Sequence, residues 1–334
     1  MPASSASRSD PQIGSTTLSE HLRGAAYRVN GDTGLSVVIN AIAGAAVAIE
    51  GQTRLAALAG VLGDTGEINV QQELVQRLDA IGTESFVEAL RACGRVAALA
   101  CEELEEMVHM SDAADHEYLT VFDPVDGSSN IDVAVTIGSI FGIYRRADAS
   151  PVTAETLLRP GHEQVAAVYA IYGSSTVFVV AVRDQVDGFT LNPTSGEFVL
   201  THPDIRIPET CKYYSINEHY QERWEPGVQR AVAHLRQKYG QRYVGSLVAD
   251  FHRDLLKGGV FLYPGEVKNP QGKLRLGYEA NPLGFVAEQA GGAASDGRRR
   301  ILDLQPEKLH QRTPLIVGNA DVVREVEAII AAGG

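Results

Sequence analysis

The sequence is poor in cysteine, in lysine over most of its length, and in long apolar runs. Of 334 residues three are cysteines, Cys93, Cys101 and Cys211. The number is odd and no two form a close-spaced metal-ligand pair, which argues against a disulfide framework and points to a reducing, cytoplasmic compartment. No window approaches the ~18 consecutive apolar residues of a membrane span, so no membrane association is expected. Met1 to Asp10 is Ser-rich and lacks the apolar core of a signal peptide. The first of the six lysines is Lys212. Residues 1–200 carry 11 Lys+Arg against 26 Asp+Glu, a net of −15, whereas residues 201–334 carry 18 against 16, a net of +2. Without a strongly basic face, nucleic acid is not an expected partner. The asymmetry suggests an acidic, metal-binding part joined to one better suited to anions, although acidic surfaces also simply maintain solubility.

What is present is ordinary for a globular protein, with 44% hydrophobic and 21% charged residues. The length suggests two domains. Leu35 to Leu62, rich in Ala, Val, Ile and Leu, reads as one long or two shorter helices. Asn69 to Ala92 has helical spacing, with Leu74, Leu78, Ile81, Val87 and Leu90 near one stripe. Val96 to Cys101 is an apolar run of ambiguous type. Tyr118 to Phe122 reads as a strand ending at Asp123-Pro124, and Val133 to Tyr144 as a long β-branched and aromatic run. Hairpins are expected across Gly173-Ser174-Ser175 and across residues 192–196. A boundary near residue 200 gives a tail and first helix (1–30), an N-terminal domain (31–200) and a C-terminal domain (201–334). In the latter, helices over 226–239, 249–257, 282–290 and 320–331 alternate with strands at 259–263 and 315–317. The fold class is α/β (α+β), in two layered domains.

The strongest chemical signal is Val121-Phe-Asp123-Pro-Val125-Asp126-Gly127-Ser128-Ser129-Asn130-Ile-Asp132. Pro fixes its own φ and biases Asp123 toward extended backbone, which can aim Asp123 and Asp126 at one point. Two close carboxylates repel unless a cation lies between them. Oxygen-only ligands select hard ions such as Mg²⁺ or Mn²⁺. Gly127 to Asn130 offers N–H groups and hydroxyls suited to a phosphate. Alone, the segment is a turn former. However, Glu102-Glu103 also directly follows an apolar run, which suggests two adjacent strands sharing a carboxylate-lined edge.

The chain resembles class I fructose-1,6-bisphosphatases, within the metal-dependent, lithium-sensitive sugar-phosphatase superfamily. The resemblance rests on the Asp123–Asp132 motif and Glu102-Glu103. It extends through Ile140-Phe-Gly-Ile-Tyr-Arg145, Tyr214-Ser-Ile-Asn217-Glu-His-Tyr220 and Arg242-Tyr243-Val-Gly-Ser246. Phe261-Leu-Tyr263-Pro, Gly272-Lys273-Leu-Arg275-Leu and Tyr278-Glu279-Ala-Asn281-Pro282 follow in order. It implies a layered αβαβα sandwich of two mixed-sheet domains, a homotetramer, and Mg²⁺-dependent removal of the 1-phosphate of fructose 1,6-bisphosphate in gluconeogenesis or the Calvin cycle. A bifunctional enzyme that also accepts sedoheptulose 1,7-bisphosphate is the alternative within this class, and a non-enzymatic metal- or phosphate-binding protein the alternative outside it.

By the same resemblance, Asp123, Asp126 and Glu279 hold one ion, and Glu102, Asp123 and the Val125 carbonyl a second. Glu73, where family members often carry Asp, holds a third with Glu102. Glu103 and Asp79 serve the attacking water. Asp126, Gly127, Ser128 and Ser129 line the reacting end of the substrate. Asn217, Tyr220, Tyr243 and Tyr263 take the 6-phosphate with Arg242 from a neighbouring subunit, and Lys273 and Arg275 lie near the sugar and the 1-phosphate. Two departures bear on regulation. The Lys-Tyr pair of animal AMP sites reads Glu117-Tyr118, which argues against AMP inhibition of the animal kind. Residues 146–163 hold no Cys, so redox control of the chloroplast type is not expected.

Overall fold

The computed structural model describes residues 14–27, 33–59, 62–68 and 74–332. The Ser-rich tail, most of the turn at Asn30–Gly34, and Glu73 lie outside the described residues. Helix α1 (Leu18–His21) leans on the sheet edge, where His21 and Tyr27 both reach the buried carboxylate of Asp187, at 2.9 and 2.7 Å.

The apolar run after residue 33 forms α2 (Gly34–Arg54) and the single turn α3 (Ala56–Ala59). By length and average composition alone α2 could cross a membrane, although polar residues such as Ser36, Asn40 and Glu50 interrupt its apolar run. Its packing accounts for that character: Leu35, Val38, Ile39, Ile42, Ala46 and Ile49 recur every three or four residues and are buried in the first core. Helix α4 spans Arg77–Ala92, shorter than the periodicity predicts. Leu74, expected on its stripe, lies in β2 (Leu74–Gln76), which pairs with β1 (Asp64–Ile68). Strand pairing there overrides helical spacing.

Among the described residues the larger sheet contains β3 (Val96–Cys101), β4 (Val108–His109), β5 (Tyr118–Asp126), β6 (Ile137–Arg145), β7 (Gln164–Tyr172), β8 (Thr176–Val182), β9 (Gln185–Asn192) and β10 (Glu197–His202). Their order is β10-β9-β8-β7-β6-β5-β3-β4. Both expected hairpins are present. The sheet is antiparallel except that β3 and β5 are parallel, with Cys101 opposite Phe122. Strand β5 does not stop at Asp123-Pro124 but runs to Asp126, with a register shift between Asp123 and Asp126. A break in the ladder is where Pro, lacking an N–H, is tolerated.

Both faces of this sheet are covered, so its strands are apolar throughout. In β8, Phe178, Val180 and Val182 join the core under α2 and α4, while Val177, Val179 and Ala181 join the opposite core. That second core lies under α6 (Leu247–Lys257) and α7 (Asn281–Gln289). These helices also cover the second sheet, of β11 (Tyr213–Ser215), β12 (Gly240–Gln241), β13 (Gly259–Tyr263), β15 (Ala293–Ser295) and β17 (Leu315–Gly318), ordered β12-β11-β13-β17-β15. A short pair, β14 (Leu274–Arg275) with β16 (Arg312–Thr313), flanks it. Helices α5 (Pro226–Lys238) and α8 (Ala320–Ala331) close the far side. The result is the five-layer αβαβα sandwich.

The middle layer is tight at Gly138 on β6. A Cβ there would lie 2.3 Å from the Ala170 carbonyl oxygen and 2.6 Å from Val248 on α6. Since backbone cannot yield as a flexible side chain does, Gly138→Ala is expected to cost about 3 kcal/mol. A thermal-unfolding midpoint several degrees below the parent's would show this, and an unchanged midpoint would refute it.

Candidate active site

The parallel pairing of β3 with β5 brings two acidic strand ends to one edge. Glu102 leaves β3 with its N–H donating to the Phe122 carbonyl at 3.1 Å, so Glu102 lies beside Asp123. The third member comes from the other sheet's neighbourhood. Leu276–Ala280 forms one π-helical turn ahead of α7, and this turn buries Glu279. Oxygens of Glu102, Asp123 and Glu279 lie within 4.8 Å of one another, and all three residues are buried.

The electrostatics follow from that geometry. At such separation each pair of like charges costs roughly 3–4 kcal/mol at an effective dielectric of ~20. Burial, then the neighbouring charges of Glu102, Glu279 and Asp126, push the Asp123 carboxyl well above its usual range. Burial and Glu102 do the same to Glu279. One cation is already present: Arg275 Nη2 lies 3.1 Å from Glu102 Oε1. With all three acids ionised, Arg275 leaves a net charge of about −2, which one divalent ion balances. The all-oxygen donor set fits a hard ion.

Asp126 faces the same region by a different support. Its Oδ2 accepts from the Val248 N–H (2.8 Å) and the Ser246 hydroxyl (3.1 Å) at the start of α6. Burial nonetheless pushes its carboxyl up to about 6, against those two bonds. Asp123 Oδ1 accepts from the Val125 N–H at 2.9 Å, which turns the chain after Pro124. Gly127 follows at φ +79°, a left-handed conformation that glycine adopts without strain. Ser128 then reaches Asp79, while Ser129 is exposed.

Asp79 is fixed on the first turn of α4, where its Oδ2 accepts from the Gln76 N–H at 3.0 Å. Burial, then the charge of Glu103, pushes its carboxyl up to about 8. Glu103 itself is half-buried.

A second group lies on the C-terminal side. Tyr243 reaches Asn217, and burial, then the neighbouring tyrosines, raises the Tyr263 hydroxyl above its ordinary range, which places Tyr220, Tyr243 and Tyr263 close together. The Lys273 ammonium lies 5.5 Å from the centre of the Tyr220 ring. Arg242 is exposed and stacks over Tyr213 at 5.5 Å. Arg275 stands apart from this group: its guanidinium turns inward to Glu102, where it is buried. Glu117 accepts from Arg145 at 3.0 Å, so the cation that a nearby phosphate would need is already engaged.

Sequence reasoning misses Ser246 and Val248 as partners of Asp126, and also Asp250 and Asp254. A signal exists for the last two. They fall on the same buried stripe of α6 as Leu247, Phe251 and Leu255, where an acid must have partners.

A five-layer αβαβα sandwich with clustered carboxylates at the ends of a parallel strand pair defines the sugar-phosphatase class. Comparison with known proteins narrows this. Residues 16–203 match the family described as Fructose-1-6-bisphosphatase, N-terminal domain, and residues 207–331 the corresponding C-terminal domain. A class 1 fructose-1,6-bisphosphatase of Salinibacter ruber is 48% identical over 302 residues, covering 86% of this chain and 83% of that protein. One from Cytophaga hutchinsonii is 45% identical, over 94% of this chain and 92% of that one. The crystal structure of Leishmania major fructose-1,6-bisphosphatase in holo form superposes with a TM-score of 0.89 at 38% identity, covering 96% and 99% of the two chains. The chain belongs to the fructose-1,6-bisphosphatase family.

Proposed function

We propose that this protein is a divalent-cation-dependent phosphoric monoester hydrolase that converts D-fructose 1,6-bisphosphate to fructose 6-phosphate and inorganic phosphate. The observation that carries the reading is the buried Glu102–Asp123–Glu279 cluster, in a chain of this family. The relatives' names favour this substrate over a bifunctional enzyme that also takes sedoheptulose 1,7-bisphosphate.

Asp123, Asp126 and Glu279 would hold one Mg²⁺, and Glu102, Asp123 and the Val125 carbonyl a second. Glu73 with Glu102 would hold a third, and Mn²⁺ suits the same oxygens. When bound, such ions polarise the phosphoryl group and acidify water. Glu103 and Asp79 orient the attacking water and take its proton. The water oxygen bonds to phosphorus as the bond from phosphorus to the sugar C1 oxygen breaks. The Ser128 hydroxyl steadies that leaving oxygen, which takes a proton from solvent to become the C1 hydroxyl, while the proton taken from the attacking water returns to solvent. Asp126, Gly127, Ser128 and Ser129 line this end of the substrate. Asn217, Tyr220, Tyr243 and Tyr263 bind the 6-phosphate, joined by Arg242 of a neighbouring subunit, while Lys273 and Arg275 serve the sugar and the 1-phosphate. In this reading residues 31–200 form the metal-binding domain and 201–334 the substrate-phosphate domain, within a cytoplasmic homotetramer serving gluconeogenesis or the Calvin cycle.

Phosphate release from fructose 1,6-bisphosphate, with and without Mg²⁺, tests the reading. Release is expected only with the ion. At an ion concentration about 100 times the Kd, stability should also rise by about 2.7 kcal/mol. Well-folded protein that releases no phosphate in Mg²⁺ would overturn the assignment.

A further inference from the structure

One buried carboxylate outside the reaction centre organises the loop that carries Tyr243. Asp250, on α6, is fully buried and points back at the backbone of residues 244 and 245. Its two oxygens accept from the Val244 N–H at 2.9 and 3.0 Å, and Oδ2 also accepts from the Gly245 N–H at 3.0 Å. Arg253, one turn further along the helix, donates to Asp250 Oδ1 at 2.7 Å. The same Arg253 Nη2 lies 2.6 Å from Ser215 Oγ, at the end of β11, and 3.1 Å from the Arg242 carbonyl. Thus the pair ties together the loop bearing Arg242 and Tyr243 and the strand end that leads into Asn217. Across the loop, the Asn130 amide donates to the Gly245 carbonyl at 3.1 Å, and Ser246 and Val248 donate to Asp126.

We propose that Asp250, with Arg253, is a positioning residue for recognition of the substrate's 6-phosphate. It sets the 242–245 loop so that Tyr243 and Asn217 meet on one anion. This rests on the reading of those residues as 6-phosphate ligands. Asp250 touches neither substrate nor metal ligand in this arrangement. The loop's opposite end is held to Asp126 by hydrogen bonds that do not involve Asp250, so loss of Asp250 should loosen phosphate recognition more than chemistry. The charge is suited to the task because an ionised carboxylate only accepts, and here three donor groups converge on it.

The test is Asp250→Asn, which keeps the shape but turns one acceptor into a donor facing those N–H groups. KM for fructose 1,6-bisphosphate is expected to rise about tenfold or more with kcat within about threefold, while kcat/KM on fructose 1-phosphate stays within about twofold of the parent. A purely structural role would depress both substrates alike. Tyr243→Phe is measured in parallel and should show the same selectivity. Combined with Asp250→Asn, it should add much less than the product of the two single effects. Should Asp250→Asn not fold, Arg253→Gln, at a partly exposed side chain, must give the same selective pattern in smaller degree. Equal losses on both substrates, or no loss on the bisphosphate, would overturn the proposal while leaving the phosphatase reading intact. If Tyr243→Phe shows no selectivity, the 6-phosphate assignment itself falls, and this proposal with it.

Discussion

Replacing Asp123 by Asn is expected to lower kcat on fructose 1,6-bisphosphate by more than about 10³-fold, equivalent to about 4 kcal/mol of transition-state stabilisation. The same change should make the metal-free protein more stable. Removing the Asp123 carboxylate relieves repulsion, because besides burial the charges of Glu102, Glu279, Asp126 and Glu103 all raise its proton affinity. Asn keeps an oxygen for the Val125 N–H, so the turn after Pro124 survives. Steady-state phosphate release and thermal unfolding in chelator read the two effects. A variant that is inactive and also less stable without metal would mean that the cluster is held by its surroundings rather than poised for a cation. A variant with near-full turnover would remove Asp123 from the metal site. The physical basis is the asymmetry between the two states: close buried carboxylates are mutually destabilising alone and mutually supportive around a divalent ion.

Glu103→Gln should keep metal binding yet lose most turnover, about 10²- to 10⁴-fold, the range for removing a general base. The metal-induced rise in melting temperature should persist, which separates this variant from Asp123→Asn. The pH profile offers a second reading of the same chemistry. Without metal, burial and Glu103 hold Asp79 protonated up to about pH 8. A raised carboxyl pKa means that stability is fully present below the ordinary value near 4 and is lost as pH rises toward 8, so the metal-free protein should weaken over that window. Bound cations counter this by favouring the ionised acids. Accordingly kcat/KM should rise with pH along a limb lying below 8, and the limb should move to lower pH as Mg²⁺ is raised. A limb that ignores Mg²⁺ would contradict the coupling. Near-full kcat in Glu103→Gln would show that its proposed role is wrong.

Much of the larger sheet is legible in the sequence alone, because strands buried on both faces write themselves as continuous apolar runs. The hairpins at residues 173–175 and 192–196 are examples. So is the meeting of Glu102 with Asp123, since two apolar runs that each end in acids can share an edge when their strands are parallel. The failures have a common form. Leu74 fits a helical stripe, yet β1 claims it. Strand β5 passes through Pro124 because a register shift there spares the missing N–H. The α2 segment, by contrast, reads as one long helix or two shorter ones and forms a long helix followed by a single turn, because glycines in a helix packed on its neighbours do not break it.

The sequence by itself determined the chemistry on offer: an acidic first part, a motif of hard oxygen donors after a strand, and the lysines all placed beyond residue 200. These are properties of residue type and local spacing, which a chain carries in any conformation. Only the tertiary structure decided which of those groups meet. It brought Glu279 to Asp123 through a π-helical turn, turned Arg275 inward onto Glu102, and aimed Asp250 back at the loop of Tyr243. Periodicity records which face of an element is buried but not what lies opposite it. Opposition depends on how the five layers stack, and no local pattern encodes that.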